Sequence, residues 1–245
     1  MNKQDVIFKD LGQMAYREAW DYQEQLLQQA VQVKAAIRNL EDQGTGGIST
    51  ATLSTAHHLL FVEHPPVYTL GKSGDMANVL LSEEEMTSKG ISFYKANRGG
   101  DITFHGPQQL VGYPILDLEK YYTDIGKYLR NIEEVIILTL GEYGILSGRS
   151  AGETGVWIDA DKKGQERKIC AIGVRSSRWV TMHGFALNVN TDLSYFDNII
   201  PCGIKDKQVT SIEKELGHSV NMEEVKQKVK INFEKVFEST LVLEK

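Results

Sequence analysis

Cysteine is scarce: Cys170 and Cys202 are the only two in 245 residues, too few for a disulfide framework and suited to a reducing compartment. Long apolar runs are missing as well. Stretches such as Val135-Ile136-Ile137-Leu138 fall far short of the roughly 20 residues a membrane helix requires, so no membrane association is expected. Met1-Asn2-Lys3-Gln4-Asp5 shows no basic segment leading into an apolar run, which makes the cytoplasm the expected location. Excess positive charge is absent too, and a formal net charge of −6 argues against a general nucleic-acid binder. The chain also contains no Gly-x-x-x-x-Gly-Lys-Ser/Thr loop, no clustered Cys/His metal spacing, no internal repeat and no low-complexity segment.

What is present is the composition of a soluble globular chain, 41% hydrophobic and 24% charged. Its length favours one domain over residues 1–245 with a substantial core. Apolar residues at Tyr16, Trp20, Leu27, Val31 and Leu40 predict a long amphipathic helix from Gln13 to about Leu40. The glycines and hydroxyl residues of 42–55 then predict a flexible loop. Short strands are expected at Leu59–Glu63, Val67–Leu70, Ser92–Ala96, Ile102–Phe104 and Leu110–Leu116. Ser82-Glu83-Glu84-Glu85 resembles a capping box that starts a short helix ended by Gly90. A second long helix is predicted from Ile125 to Tyr143, then a hairpin of Gly155–Asp159 with Lys168–Val174, a strand over Thr181–Asn190, and helices near Ile212–Leu216 and Met222–Glu238. Central strands with helices at both ends define an α+β fold, a mixed sheet flanked by helices.

Four segments carry chemistry. In Arg98-Gly99-Gly100-Asp101-Ile102-Thr103-Phe104-His105-Gly106-Pro107 the paired glycines permit close backbone approach, and the arginine is suited to an anion or a carbonyl oxygen; a glycine hairpin with a solvated arginine is the bland alternative. His105, at a strand end before a sharp turn, is well placed to line a pocket. In Lys168-Ile169-Cys170-Ala171-Ile172-Gly173, period-two alternation puts Lys168, Cys170 and Ile172 on one face. Carried into a cleft, the Lys168 amine becomes usable as a base; exposed lysines are commoner. In Pro201-Cys202-Gly203 the flanking residues hold a thiol at a rigid bend, either as a nucleophile or as an ordinary loop residue. Cys170, inside a strand, reads as a buried hydrophobe. In Met182-His183-Gly184-Phe185-Ala186-Leu187-Asn188-Val189-Asn190, small Gly184 and Ala186 open room for a long apolar chain, while His183 and the asparagines are read as satisfying backbone groups. Lys162, Lys163, Arg167, Lys168, Arg175 and Arg178 fall within seventeen residues, either as a docking patch for an acidic protein or as a solvated hairpin.

Taken together, in this order and with these separations, the four segments closely resemble the lipoyl(octanoyl) transferase family over roughly Phe61 to Gly203. The resemblance implies the catalytic core shared with biotin protein ligases and lipoate ligases. It implies Cys202 as the acyl-thioester nucleophile and Lys168 as the residue that lowers the cysteine pKa. Arg98 to His105, Ala171-Ile172-Gly173 and Gly184-Phe185-Ala186 are then the substrate-lining segments. The implied donor is octanoyl-acyl carrier protein, and the implied acceptor is a lysine of lipoyl domains of 2-oxoacid dehydrogenases or of the glycine cleavage H protein. A thioester is already activated, so neither ATP nor a metal is expected as cofactor. One departure is visible: where the family has Gly-Gln after His-Gly-Pro, this chain has Gln108-Gln109, and a side chain there is expected to reshape the pocket rim. The alternatives are an ATP-dependent lipoate or biotin ligase on the same fold, and an acyl-binding module without turnover.

Overall fold

Three strands lie beyond those expected from the alternation: the two-residue Gln208–Val209 and the longer β1 (Gln4–Gln13) and β11 (Ser239–Leu243), the last two pairing in parallel, Gln4 opposite Ser239 and Phe8 opposite Leu243. Val6, Ile7 and Phe8 run consecutively, so the period of two that marks a half-buried strand is blurred there. The structure, a computed structural model, describes residues 3–42, 53–200 and 208–243. The centre of the glycine-rich stretch of 42–55 and the whole of Pro201-Cys202-Gly203 lie outside the described residues.

β1 and β11 join β2 (His57–Glu63), β6 (Gln109–Ile115), β8 (Arg167–Ser177), β9 (Val180–Asn188) and β10 (Gln208–Val209) in one sheet of order β10-β8-β9-β6-β2-β1-β11, with β7 (Val156–Ile158) paired to β8. The β1–β11, β1–β2 and β10–β8 pairings are parallel and the others antiparallel, which makes this the mixed sheet expected from the sequence. A second, three-stranded sheet has β3 (Val67–Leu70) between β4 (Ser92–Lys95) and β5 (Ile102–His105).

Both faces of the principal sheet are covered, and the side-chain alternation shows it. Leu59, Phe61, Leu110 and Leu187 enter one apolar cluster with helices α3 (Ile125–Gly141) and α5 (Met222–Val236). Leu60, Val62, Val111 and Met182 enter another, beneath α1 (Tyr16–Asp42). Every residue of β6 and β9 is buried in consequence. Each fully buried leucine or phenylalanine contributes about 1.5–3 kcal/mol, so this double-sided packing fixes the strands that bear the site. Local signals set the helix starts: Asp124 accepts from the Lys127 amide, Asn221 from Glu223 and Glu224, and Ser82 with Glu85 closes a reciprocal box at α2 (Glu83–Ser88). Arg178 and Trp179, both at positive φ (49° and 65°), form the tight turn that joins β8 to β9.

Half of the basic run is paired with carboxylates. Arg167 pairs with Asp159 at 2.8 Å and with Glu215 at 3.0 Å, Lys162 with Asp159, and Arg175 with Glu24. These pairs tie the end of β7, α4 (Ile212–Leu216) and α1 to β8 and its hairpin, so Lys162, Arg167 and Arg175 serve the fold.

Candidate active site

A cavity of about 380 Å³ opens on the α1 side of β8 and β9, within the usual range for small-molecule sites of about 300–1,000 Å³. Its floor is two directly opposed pairs of small residues, Ala171 with Ala186 and Gly173 with Gly184. The glycines are required by close packing. A Cβ on Gly184 would lie 2.2 Å from the Gly112 carbonyl oxygen, and one on Gly173 2.8 Å from that of Gly99. Phe185 borders the cavity, but its ring covers Gly112 and meets Phe61 edge-on at 6.4 Å, on the face packed against α3 and α5. The walls include Tyr16, Ile102, Val111, Tyr113 and Phe196, so the interior is mainly apolar.

Arg98 ties the rim together. Its guanidinium donates to the Thr69 carbonyl, to Thr69 Oγ1 at 2.8 Å and to the Gly99 carbonyl at 3.0 Å, and it is almost fully buried. From Thr69 a hydrogen-bond chain runs inward. The Gln109 amide nitrogen donates to the Phe104 carbonyl and to Asn188, which leaves its oxygen to accept from His105 Nδ1 at 2.9 Å; His105 Nε2 then accepts from Thr69 Oγ1 at 3.3 Å. His64 donates from Nδ1 to the Met14 carbonyl and accepts from the Tyr113 hydroxyl at 2.7 Å. Burial favours the neutral imidazole throughout. It lowers His64 to about 4, holds His105 well below the usual histidine range, and with the Arg98 charge brings His183 to about 3. His183 lines the cavity and bonds Asn97 at 2.7 Å; its role therefore extends beyond satisfying backbone groups.

Lys168 lines the cavity, half-buried, with Nζ 4.5 Å from the centre of the Trp157 ring. The expected sharing of one face with Cys170 does not hold, and the reason is a β-bulge. Val156 pairs with Cys170 but Trp157 with Lys168, so Ile169 is an extra residue that shifts the alternation by one. Cys170 and Ile169 pack in the apolar core, fully buried, while Lys168 turns to the cavity. Burial pushes the Cys170 thiol up, which leaves it unreactive. Beside Lys168, the Gly155 amide donates to Glu133, a fully buried carboxylate that also pairs with Arg130 and Arg149. Val209 of β10 pairs with Lys168 from the other side and also lines the cavity.

Of the lining residues expected from the sequence, Arg98, Gly100, Asp101, Ile102, Thr103, His105, Ala171, Ile172, Gly173, Gly184, Phe185 and Ala186 border this cavity. Phe104 turns away to stack on Tyr195 at 4.5 Å, and Gly99 sits behind the wall with its amide on the Val174 carbonyl. Gln108 is exposed at φ 61°, and its side-chain oxygen accepts from Asn190 at 2.8 Å. It does not border the cavity among the described residues. The left-handed backbone explains why glycine suits this turn. Sequence reasoning missed Tyr16, Tyr113 and Gln109, which reach the cavity from an amphipathic helix and a fully buried strand, where pattern assigns them to the core.

Residues 15–234 match the lipoyl protein ligase A/B catalytic domain. Over 243 residues the chain is 58% identical to the octanoyltransferase of Flavobacterium psychrophilum, covering 99% of this chain and 100% of that one. It is 57% identical to the octanoyltransferase of Christiangramia forsetii, covering 98% and 99%. A bipartite lipoate protein ligase from Thermoplasma acidophilum shares the fold, with a TM-score of 0.66 at 16% identity over 100% of this chain and 87% of that one. The chain belongs to the lipoyl protein ligase A/B catalytic-domain family and, within it, to the lipoyl(octanoyl) transferases; it is an acyltransferase. No helix among the described residues is long and apolar enough to cross a membrane.

Proposed function

We propose that the chain, acting as one catalytic unit in the cytoplasm, transfers an octanoyl group from octanoyl-acyl carrier protein to a lysine of a lipoyl domain or of the glycine cleavage H protein. Cys202 is the acyl carrier and Lys168 the proton-handling partner. The supporting observation is what holds Ile200 on one side of Cys202 and Gln208–Val209 on the other. Ile200 donates to the Asn78 carbonyl at 2.9 Å, and Asn78 bonds the cavity residue Asp101; eight positions later Gln208 pairs with Arg167 and Val209 with Lys168. Ile200 is thus linked through Asn78 to a cavity residue, and Val209 lies against Lys168.

In this mechanism Lys168 takes the proton of Cys202, the thiolate attacks the donor's thioester carbonyl, the carbonyl–sulfur bond to the carrier breaks, and Lys168 returns that proton to the departing carrier thiolate. The acceptor amine then attacks the Cys202 thioester and gives its proton to Lys168; an amide forms as the thiolate is released. Neither step consumes ATP. The test is mass spectrometry of the enzyme mixed with octanoyl-acyl carrier protein: one octanoyl group on the Cys202 peptide, discharged when lipoyl domain is added. An adduct that never forms despite turnover would sink the assignment. Lys168→Met should slow discharge of a preformed adduct by roughly 100-fold, the usual weight of a general base.

Chain length is set by the small-residue floor. Ala171→Leu would exclude two or three methylenes of an eight-carbon chain, each worth about 0.8 kcal/mol, a roughly 15- to 60-fold loss of kcat/KM for octanoyl donors. Butyryl donors should be nearly unaffected, and an equal loss for both lengths would show that the acyl tail lies elsewhere.

A further inference from the structure

We propose that Glu133 is a positioning residue for Lys168, clamping both ends of the loop that walls the cavity beside that amine; the assignment rests on the proton-handling reading of Lys168 above. Glu133 lies on α3, fully buried, and its two oxygens serve different ends of one loop. Oε2 accepts from Arg149 Nε at 2.9 Å, where the loop begins, and Oε1 accepts from the Gly155 amide at 3.0 Å, where it ends. Between these points Ser150 Oγ donates to Glu153 at 2.7 Å, and Gly152, Glu153 and Thr154 border the cavity. A second tie closes the base of the loop, because Gly148 and Trp157 exchange both of their backbone hydrogen bonds at 2.9 Å.

Lys168 takes its place from this frame. No hydrogen bond or ion pair to a described residue fixes its amine, which lies over the Trp157 ring. Its stem runs past Gly155, where a Cβ would lie 3.5 Å from Lys168 Cε and 2.7 Å from the Cys170 carbonyl oxygen. Gly155 holds φ at 125°, a conformation that side-chain-bearing residues rarely adopt, and its amide is the group bonded to Glu133. Without that acceptor Gly155 is free to leave the strained conformation, and the lysine stem loses the surface that orders it. A displacement of about 1 Å in a reacting group is enough to slow chemistry by as much as 100-fold. Arg130 at 2.8 Å and Arg149 neutralise the carboxylate, and in many proteins such a buried ion cluster is replaced by apolar side chains of similar size without loss of stability. A purely structural role for Glu133 thus predicts that apolar replacement is harmless to turnover.

Two replacements that both remove the central charges, and differ in whether the Gly155 amide keeps an acceptor, isolate the clamp. Glu133→Gln with Arg149→Gln keeps one, since the new amide oxygen at position 133 takes the Gly155 hydrogen bond while its nitrogen donates to the new oxygen at position 149. Glu133→Leu with Arg149→Met keeps none. In octanoyl transfer the apolar pair should lose about tenfold or more in kcat, with KM for the acceptor domain within about threefold, and the glutamine pair should stay within about threefold of the native kcat. Acetylation of Lys168 by acetic anhydride, read by peptide mass against the other lysines, should quicken by about threefold or more in the apolar pair and hold at the native rate in the glutamine pair. Gly155→Ala reaches the same amide with Glu133 intact, because the added methyl meets the Cys170 carbonyl, and it decides the matter where the apolar pair melts early. Native kcat in the apolar pair or in Gly155→Ala, or a glutamine pair that melts normally yet is as slow as the apolar pair, would overturn the proposal. Lys168→Met run alongside separates the two ideas: full transfer in that variant removes the proton-handling role itself, whereas its loss beside a fully active apolar pair removes only the clamp.

Discussion

Cys202→Ala is expected to lower octanoyl transfer by on the order of 10⁴-fold, since removal of a covalent nucleophile leaves only binding and electrostatic stabilisation. Cys170 gives no relief, because it is fully buried and its thiol is held protonated by its apolar surroundings. The result discriminates between two chemistries on one fold. A lipoate ligase shares this architecture at a TM-score of 0.66, and an enzyme that activates its acid as an adenylate has no need of a thiol. Full activity of the variant with free octanoate and ATP, measured by acceptor mass, would move this chain to that class. Loss of the covalent adduct together with loss of transfer from the carrier thioester is the expected outcome.

The second large effect is on stability in mild acid. His57, His64 and His183 are buried, and desolvation brings them from an ordinary 6.5 to about 4, 4 and 3; Arg98 and Arg175 add to the effect at His183, while Asp117 opposes it at His57. The unfolded chain takes up protons near pH 6.5 that the folded chain refuses. The stability these groups confer is therefore complete above pH 6.5, falls as pH drops towards 4, and levels off once both states are protonated. At pH 5 the loss is on the order of 2 kcal/mol for each imidazole, against a total of about 5–15 kcal/mol. Ordinary carboxylates titrate near 4, so histidines dominate between pH 6.5 and 5. Thermal melts should fall steeply over that interval, and a flat melting temperature from pH 7.5 to 5 would contradict the buried, neutral assignment.

Legibility from sequence followed the physics of each feature. Val67–Leu70 and Ile212–Leu216 have the bounds expected from pattern, and the Ser82–Glu85 box forms as written, because turns and caps are local. Gly184 and Ala186 were readable as slot formers because small residues inside a strand leave room beside it, whereas Ala171 and Gly173 were expected there only through the family resemblance. What local pattern does not reveal is which face an irregular strand presents. The extra residue in β8 changed the neighbours of Lys168, and β1 and β11 became strands through a pairing between distant segments. Tyr16 and Tyr113 look like core residues for the same reason: a cavity wall and a packed interior select the same apolar side chains.

The bulge in β8 has a consequence for how this enzyme tolerates change. Lys168 points to the slot because Ile169 is supernumerary, so its orientation depends on a count of residues as well as on chemistry. Shortening the strand by that one position would keep the lysine and its neighbours in name while swinging the amine toward the oily interior. Across descendants of this chain, amino-acid replacements near the site have many acceptable forms, but a gain or loss of length in this strand has almost none.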